Sequence, residues 1–372
     1  RLKTGALTDF DLFMDQGWQV EACRTERAWF EAAARHALLE NHWTREQHRL
    51  SDEAWTQGTA LRQAERFLEA AEAYRRSAEV EQASGRPRMQ DLTAKLSLAA
   101  LMYQRIARYG EAEPLFREAL AIRQQALPEG HPDIATSLNS LAELLLATGR
   151  YGEAEPLLRE ALAICRQVLL EGHPDIALTL NNLALLLETT GRYDEAEPLY
   201  REALAIRQQA LPAGHPAIAG SLNNLAELLK TTGRPAEAEP LYQQALQIAQ
   251  SLQVPELLWT VQGNLADFYA KHSQRPRAIL FGKQAVNTLQ AVRQNLVGTE
   301  QAIQQSFLKN KECYYKHLAD WLIAEGCLRE AQQVLEILKA QEHFEFIRGD
   351  LCHTQSTQDR SDSTGEVCHA GA

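Results

Sequence analysis

Apolar residues recur along the middle of the chain with the spacing of an α-helix. One run has steps of three, one and three positions, which places its side chains on a single helix face: Leu138, Leu141, Ala142 and Leu145. Residues 154–164 have similar spacing and predict a second helix. Gly149 lies between the two, where glycine adopts a positive φ without steric cost and ends the first helix. The pattern therefore predicts a hairpin of two helices.

The hairpin recurs along the chain. A segment that begins at Tyr109 returns at Tyr151, at Tyr193 and, with proline in place of tyrosine, at Pro235, so the period is 42 residues. Weaker copies on both sides bring the total to about seven units. One hairpin cannot cover its own apolar face, and neighbouring units must therefore stack. We expect an all-α fold, a right-handed α-solenoid of stacked antiparallel helix pairs.

The repeat resembles the tetratricopeptide repeat (TPR). Leu141-Ala142, Tyr151 and Ala154 match its leucine-small, aromatic and alanine positions. The 42-residue period, the Gly-His-Pro-Asp turns and the Leu-Asn-Asn-Leu-Ala segments look like the longer-helix variety of kinesin light chains and many bacterial repeat proteins. The resemblance implies a TPR superhelix whose first helices line the inner curve.

The inward faces of these first helices are the predicted binding site. The resemblance implies that they form one continuous groove, in which amide groups suit the backbone of an extended peptide. Glutamates add negative charge and a single lysine adds positive charge. The predicted peptide-binding residues are Asn139, Glu143, Asn181, Asn182, Glu188, Asn223, Asn224, Glu227 and Lys230.

Two interpretations of the asparagines remain open, since they could contact a ligand or only satisfy groups within the stack. Contact with the groove is favoured for Asn139, Asn181 and Asn223, because TPR grooves commonly bind peptides through asparagines on these helices. Asn182 and Asn224 lie about 100° further round the helix and could reach a neighbouring unit instead. The carboxylate clamp of chaperone-binding TPRs needs two or three basic residues, and that clamp is not predicted.

Residues that suggest catalysis or metal binding have simpler explanations. His131, His173 and His215 occur once per unit, and packed helices lie about 10 Å apart, whereas zinc needs every ligand near about 2 Å. The sequence contains no Walker A loop, G-x-G-x-x-G, G-x-S-x-G or H-E-x-x-H motif. We therefore expect no enzyme activity and no catalytic, metal-binding or cofactor-binding residues.

The regions around the repeats suggest an alternative function. We expect a helical cap over residues 1–55, the TPR array over 56–290, a helical segment with a last TPR-like hairpin over 291–350 and a disordered tail over 351–372. Residues 325–348 resemble the connector between TPR arrays and the CHAT cysteine-protease domain of bacterial proteins. The chain would then be the recognition or regulatory part of such a protease or signalling protein, without its catalytic domain.

Charge and hydropathy narrow the expected partners. The net charge is −11, and acidic residues outnumber basic ones across residues 109–250, so nucleic acid is not expected to bind there. The sequence contains neither a long apolar run nor the apolar core of a signal peptide in its first 30 residues, which predicts a cytoplasmic protein without membrane contact. The leading hypothesis is a non-catalytic scaffold for a protein or peptide ligand. A homodimer could form through the solenoid end.

Overall fold

The fold consists of consecutive helices joined by short turns. The computed structural model describes residues 26–64, 66–85, 87–295 and 311–338, and within them it contains no β-strand. The chain divides into two compact units, Arg1–Leu169 and Leu170–Ala372. In each unit the helices pair in sequence order, which confirms the predicted all-α fold of stacked helix pairs. None of the described helices is both long and apolar enough to cross a membrane.

The described part of the first unit contains three hairpins. They pair α1 with α2, α3 with α4 and α5 with α6, and α2 also packs on α3. The helices are α1 Glu26–Gln63, α2 Phe67–Ala83, α3 Met89–Arg105, α4 Tyr109–Ala126, α5 Pro132–Ala147 and α6 Tyr151–Val168.

The described part of the second unit contains four hairpins, which pair α7 with α8 and so on along the chain. The helices are α7 Pro174–Thr189, α8 Tyr193–Ala210, α9 Pro216–Thr231, α10 Pro235–Leu252, α11 Pro255–Lys271, α12 Arg275–Asn295, α13 Glu312–Ala324 and α14, residues 328–338. Helix α13 packs on α12 through an apolar cluster that includes Leu289, Tyr315 and Leu318, and α14 adds Ala331 and Val334.

The helix boundaries follow local sequence signals. Gly149 has a φ of 75°, as predicted, and its N–H donates to the carbonyl of Leu146 at 3.0 Å. Each first helix of the regular repeats starts with proline, whose missing N–H is no loss at that position. The preceding histidine is a helix cap: His131 Nδ1 accepts a hydrogen bond from the backbone N–H of Asp133 at 3.2 Å, and His173 caps α7 in the same way. Capping satisfies a backbone donor that the helix leaves unpaired.

Leucine and alanine form most of the core. The predicted apolar face of α5 is buried, with Leu138 and Leu141 each 1% exposed and Ala142 fully buried. Alanines on both helices allow close approach, as at Ala154 on α6. A second contact joins hairpins at their outer edge, where the Arg150 guanidinium donates to Glu113 at 2.7 Å.

A buried charge cluster joins the first three helices. Glu81 on α2 has a fully buried carboxylate, which accepts hydrogen bonds from the backbone and guanidinium of Arg88. The Lys95 ammonium on α3 donates to Glu81 at 2.9 Å and to Ser51 Oγ on α1 at 2.7 Å. His48, also on α1, places Nε2 3.3 Å from Glu81. Polar contacts therefore supplement the apolar packing where α1 meets α2 and α3.

Two of the expected domain limits can be compared with the helices. The limit between residues 55 and 56 falls within α1, which continues to Gln63, and the limit between residues 290 and 291 falls within α12, which continues to Asn295. Helices α13 and α14 lie within the expected segment of residues 291–350. The tail from 351 to 372 and residues 339–350 lie outside the described residues.

Candidate functional site

The two candidate residues of the first unit lie on α5. Asn139 is 6% exposed, whereas Glu143, one turn further along the helix, is exposed. Glu143 Oε1 lies 3.5 Å from Nε2 of Gln104 on α3. Surrounding protein atoms desolvate the carboxylate and raise the pKa of Glu143. The residue is thus exposed to solvent, but neighbouring protein atoms still disfavour the ionised form of its carboxylate.

The second unit contains a groove of about 480 Å³ across the first helices of three consecutive hairpins, α7, α9 and α11. Four of the nine predicted residues line it, namely Glu188, Asn223, Asn224 and Glu227. The other lining residues are Leu185, Thr189, Tyr193, Thr231, Thr260 and Asn264. Helical spacing explains the arrangement, because the lining residues of each helix recur at intervals of three or four. Part of the predicted binding surface, namely these four residues, therefore lies in one groove of this unit.

Asparagines connect the three helices along the groove. Asn224 Nδ2 donates to Asn181 Oδ1 at 3.1 Å, and Asn264 Nδ2 donates to Asn223 Oδ1 at 3.0 Å. The first asparagine of α7 and the first asparagine of α9 thus each accept a hydrogen bond from the second asparagine position of the next hairpin. Asn182 is buried at 9% exposure. Asn223 and Asn224 therefore form bonds between hairpins, which is one of the two interpretations that the sequence left open, and both also line the groove.

Buried tyrosines hold the two groove carboxylates in place. Tyr200 on α8 donates its hydroxyl hydrogen to Glu188 Oε2 at 2.8 Å, and Tyr242 on α10 donates to Glu227 Oε2 at 2.6 Å. Both rings are at most 1% exposed. Burial, together with the neighbouring carboxylates, raises the pKa of each phenol, so both remain hydrogen-bond donors. These tyrosines were not predicted, although their 42-residue separation and the leucine at position 158 could have indicated them.

Lys230 forms an ion pair within the protein. Its side chain is only 4% exposed, and its ammonium donates to both carboxylate oxygens of Glu227, at 2.5 and 2.7 Å. Within the part of the chain that the structure describes, no lysine or arginine forms a salt bridge with Glu188. Desolvation is the largest cause and raises the pKa of Glu188, and the charge of Glu227 adds to that increase. The Tyr200 hydrogen bond and the charge of Lys230 oppose it. With both carboxylates ionised, the three charged groups sum to −1.

Two exposed leucines accompany the polar groups. Leu185 lines the groove at 41% exposure, and Leu178 lies two turns earlier on the same face of α7 at 43% exposure. Large apolar side chains at this exposure can be covered by a ligand. The groove therefore presents apolar, amide and carboxylate groups side by side.

The asparagine pattern changes at α11. Gly263 occupies the position of the first asparagine, and a Cβ at this position would collide with the Tyr314 ring of α13. Nearby, His317 Nδ1 on α13 lies 3.2 Å from Asp267 Oδ1. Helix α13 thus packs on the inward face of α11 next to Asn264.

Family models of the tetratricopeptide repeat match residues 133–209, 217–291 and 94–133, which together span just over half of the chain. None of the curated proteins compared with the chain matches it.

Solved structures show the same repeat fold. The Rap conjugation gene regulator of plasmid pLS20, in complex with the Phr* peptide, has a TM-score of 0.55 at 14% identity, covering 79% of this chain and 74% of that one. Aspartyl phosphate phosphatase F from Bacillus subtilis has a TM-score of 0.58 at 11% identity, covering 88% and 78%. A kinesin light chain from Podosopora anserina with nearly identical TPR-like repeats has 26% identity and a TM-score of 0.45, covering 57% and 98%. Because these family models together cover just over half of the chain, the chain belongs to the tetratricopeptide repeat family.

Proposed function

We propose that this protein is a non-catalytic interaction scaffold that holds an extended segment of a partner protein in the groove of the second unit. The observation that carries the proposal is that the exposed Leu185, the asparagine amides and the two carboxylates line one groove across α7, α9 and α11, with the exposed Leu178 two turns away on α7. Peptide recognition needs these three kinds of group, for side chains, backbone and charge respectively.

The dimensions of the groove suit an extended chain. Packed helices are about 8–10 Å apart, and an extended peptide rises about 3.3 Å per residue, so about three residues span one hairpin. Three helices would then contact roughly six or seven residues of the partner. The Rap regulator of the same fold holds the Phr* peptide. That complex supports a peptide ligand for a helical array of this kind.

The proposed role does not require catalysis. The two carboxylates of the groove, Glu188 and Glu227, are each fixed by a buried tyrosine, and Glu227 is also neutralised by Lys230. One protein of the same fold is named as a phosphatase. We assign this chain a binding role because its groove offers backbone-binding amides beside held carboxylates. The alternative, the recognition part of a CHAT-type protease or signalling protein, would use the same groove.

The test is selection of ligands by the full chain from a phage-displayed random heptapeptide library. The L178Q/L185Q variant removes the exposed apolar contacts, and the matched control L280Q/L328Q changes two exposed leucines on α12 and α14. We expect the groove variant to recover selected phage at least tenfold less well, because each covered leucine contributes about 1.5–3 kcal/mol.

The control variant should recover phage as the unchanged protein does, with the same helicity by circular dichroism in all three proteins. Equal losses in the two variants would contradict binding in this groove. Failure of the unchanged protein to enrich any sequence would contradict the proposed function itself.

A further inference from the structure

We propose that the groove selects a peptide with a basic side chain, arginine or lysine, and that Glu188 is the carboxylate that binds it. This inference rests on the proposed peptide-binding function and specifies the chemistry of the ligand. A partner segment with an acidic residue at the same place is excluded by like charge.

The charges in the groove favour a cationic ligand. Lys230 is buried against Glu227, and the two charges cancel within the protein. Among the described residues that line the groove, none is lysine or arginine. Glu188 therefore contributes a net negative charge at a surface that lacks an exposed cation. A cationic side chain is the complement of such a surface.

The hydrogen bond to Glu188 leaves one carboxylate oxygen able to accept from a ligand. Tyr200 binds Oε2, and a carboxylate accepts several hydrogen bonds, so Oε1 can still accept from a ligand. The tyrosine also fixes the carboxylate before a ligand arrives, which lowers the entropy that binding must remove. An arginine or lysine would meet a held acceptor instead of a mobile one.

The environment of the Glu188 charge supports the same conclusion. Desolvation by the surrounding protein raises the pKa of Glu188, which means that the ionised form is poorly stabilised there. A cation close to Oε1 replaces the missing solvation. An uncharged ligand would leave the carboxylate in the same environment or desolvate it further.

Leu185, beside Glu188, suits the methylene stem of a long basic side chain. Leu185 lies three residues before Glu188 on α7, which places the two on adjacent positions of one face. Arginine and lysine bury their methylene stems on apolar surface while the charged end reaches a polar group. Leu185, at 41% exposure, supplies such a surface next to the carboxylate.

The experiment uses four pools of fluorescein-labelled heptapeptides with uncharged mixed residues and one central residue, which is arginine, lysine, glutamine or glutamate. Binding to the full chain is measured by fluorescence anisotropy at low salt. We expect the arginine and lysine pools to bind about tenfold more tightly than the glutamine pool, since a hydrogen bond to a charged group contributes more than a neutral one. The glutamate pool should bind most weakly.

Two variants locate the effect. In E188Q the side-chain amide keeps an acceptor for Tyr200 but removes the charge, so the preference for the basic pools should disappear while the glutamine pool still binds. The matched control E330Q removes an exposed carboxylate on α14 that pairs with Lys283, and its preference should equal that of the unchanged protein. Circular dichroism checks that both variants remain helical.

The unchanged protein supplies an independent readout. Raising the salt concentration should weaken the basic pools and leave the glutamine pool nearly unaffected, because ions screen the charge pair. Groove binding without a charge preference would overturn this inference and leave the proposed function intact. A preference that persists in E188Q would also overturn it. Absence of binding by every pool would overturn both.

Discussion

Replacing Glu81 by glutamine should weaken the first unit selectively. The substitution keeps the size of the side chain but removes the charge that faces Lys95, whose side chain is 3% exposed. Breaking a buried ion pair leaves an uncompensated charge and typically costs about 3–5 kcal/mol. Arg88 is 37% exposed and also donates to Asp52 at 2.7 Å, so it should contribute little to this loss. We therefore expect about 3 kcal/mol from the Lys95 side of the cluster alone.

Hydrogen exchange with mass spectrometry is the suitable assay, because a repeat array can open locally and a single unfolding free energy would average over the hairpins. Amides of α1, α2 and α3 should exchange about a hundredfold faster in E81Q, which corresponds to about 3 kcal/mol. Amides of the second unit should keep their rates. The control E79Q, on the same helix, breaks an exposed pair with Arg75 and should change exchange only slightly. Equal exchange in E81Q and E79Q would refute the reasoning.

The effect of Glu81 should also depend on pH. Desolvation alone would raise the pKa of Glu81, but hydrogen bonds from Arg88 and Lys95 outweigh it and hold the pKa well below its ordinary value. A carboxylate whose pKa is depressed in the folded state stabilises the fold above the pKa of the unfolded chain, about 4.3, and loses that contribution as pH falls below it. The difference between wild type and E81Q should therefore be constant from pH 7 to pH 5 and shrink below pH 4. A difference that grows on acidification would contradict this sign.

Three further substitutions test the groove and its boundary. The N181A/N223A variant removes two acceptors between hairpins, so hydrogen exchange in α7, α9 and α11 should show a loss of about 1 kcal/mol for each, and unchanged exchange there would contradict the bonding described here. Y200F removes the hydrogen bond that Tyr200 donates to Glu188, so the pKa of Glu188 should rise further in an NMR titration. A lower pKa of Glu188 in this variant would contradict the role of the tyrosine. G263A introduces a methyl group against an aromatic ring, and faster hydrogen exchange confined to α13 and its contacts should follow, whereas unchanged exchange would show that the ring can move aside.

The repeat architecture could be predicted because one pattern controls it. Leucines and alanines at helical spacing specify which face is buried, and Leu138, Leu141 and Ala142 are buried as that pattern requires. The turn at Gly149 was equally predictable, since a positive φ at a helix end strongly favours glycine. Both features depend on residues close together in sequence.

The groove was less predictable because its chemistry depends on contacts between hairpins. The sequence predicted a positive charge from Lys230, and the structure shows that charge paired with Glu227 and almost fully buried. Thr260 and Asn264 were missed because the repeat that contains them is displaced by 40 residues instead of 42. The roles of the asparagines also depend on the neighbouring helix, which no single-helix pattern describes. Such side-chain partners become visible only when the stacked helices are known.

The bonding pattern along α7, α9 and α11 bears on how the array could be lengthened. Suppose that a duplicate of residues 211–252 is inserted after Ala210. The copy of Asn224 would donate to Asn181, and the copy of Asn223 would accept from the original Asn224, so each new junction would repeat an existing hydrogen bond. The recognition surface would grow by one module. Duplication after α12 would instead separate Gly263 from the ring that fills its place. Expansion by gene duplication, natural or engineered, is thus easiest within the array and hardest at its α13 end.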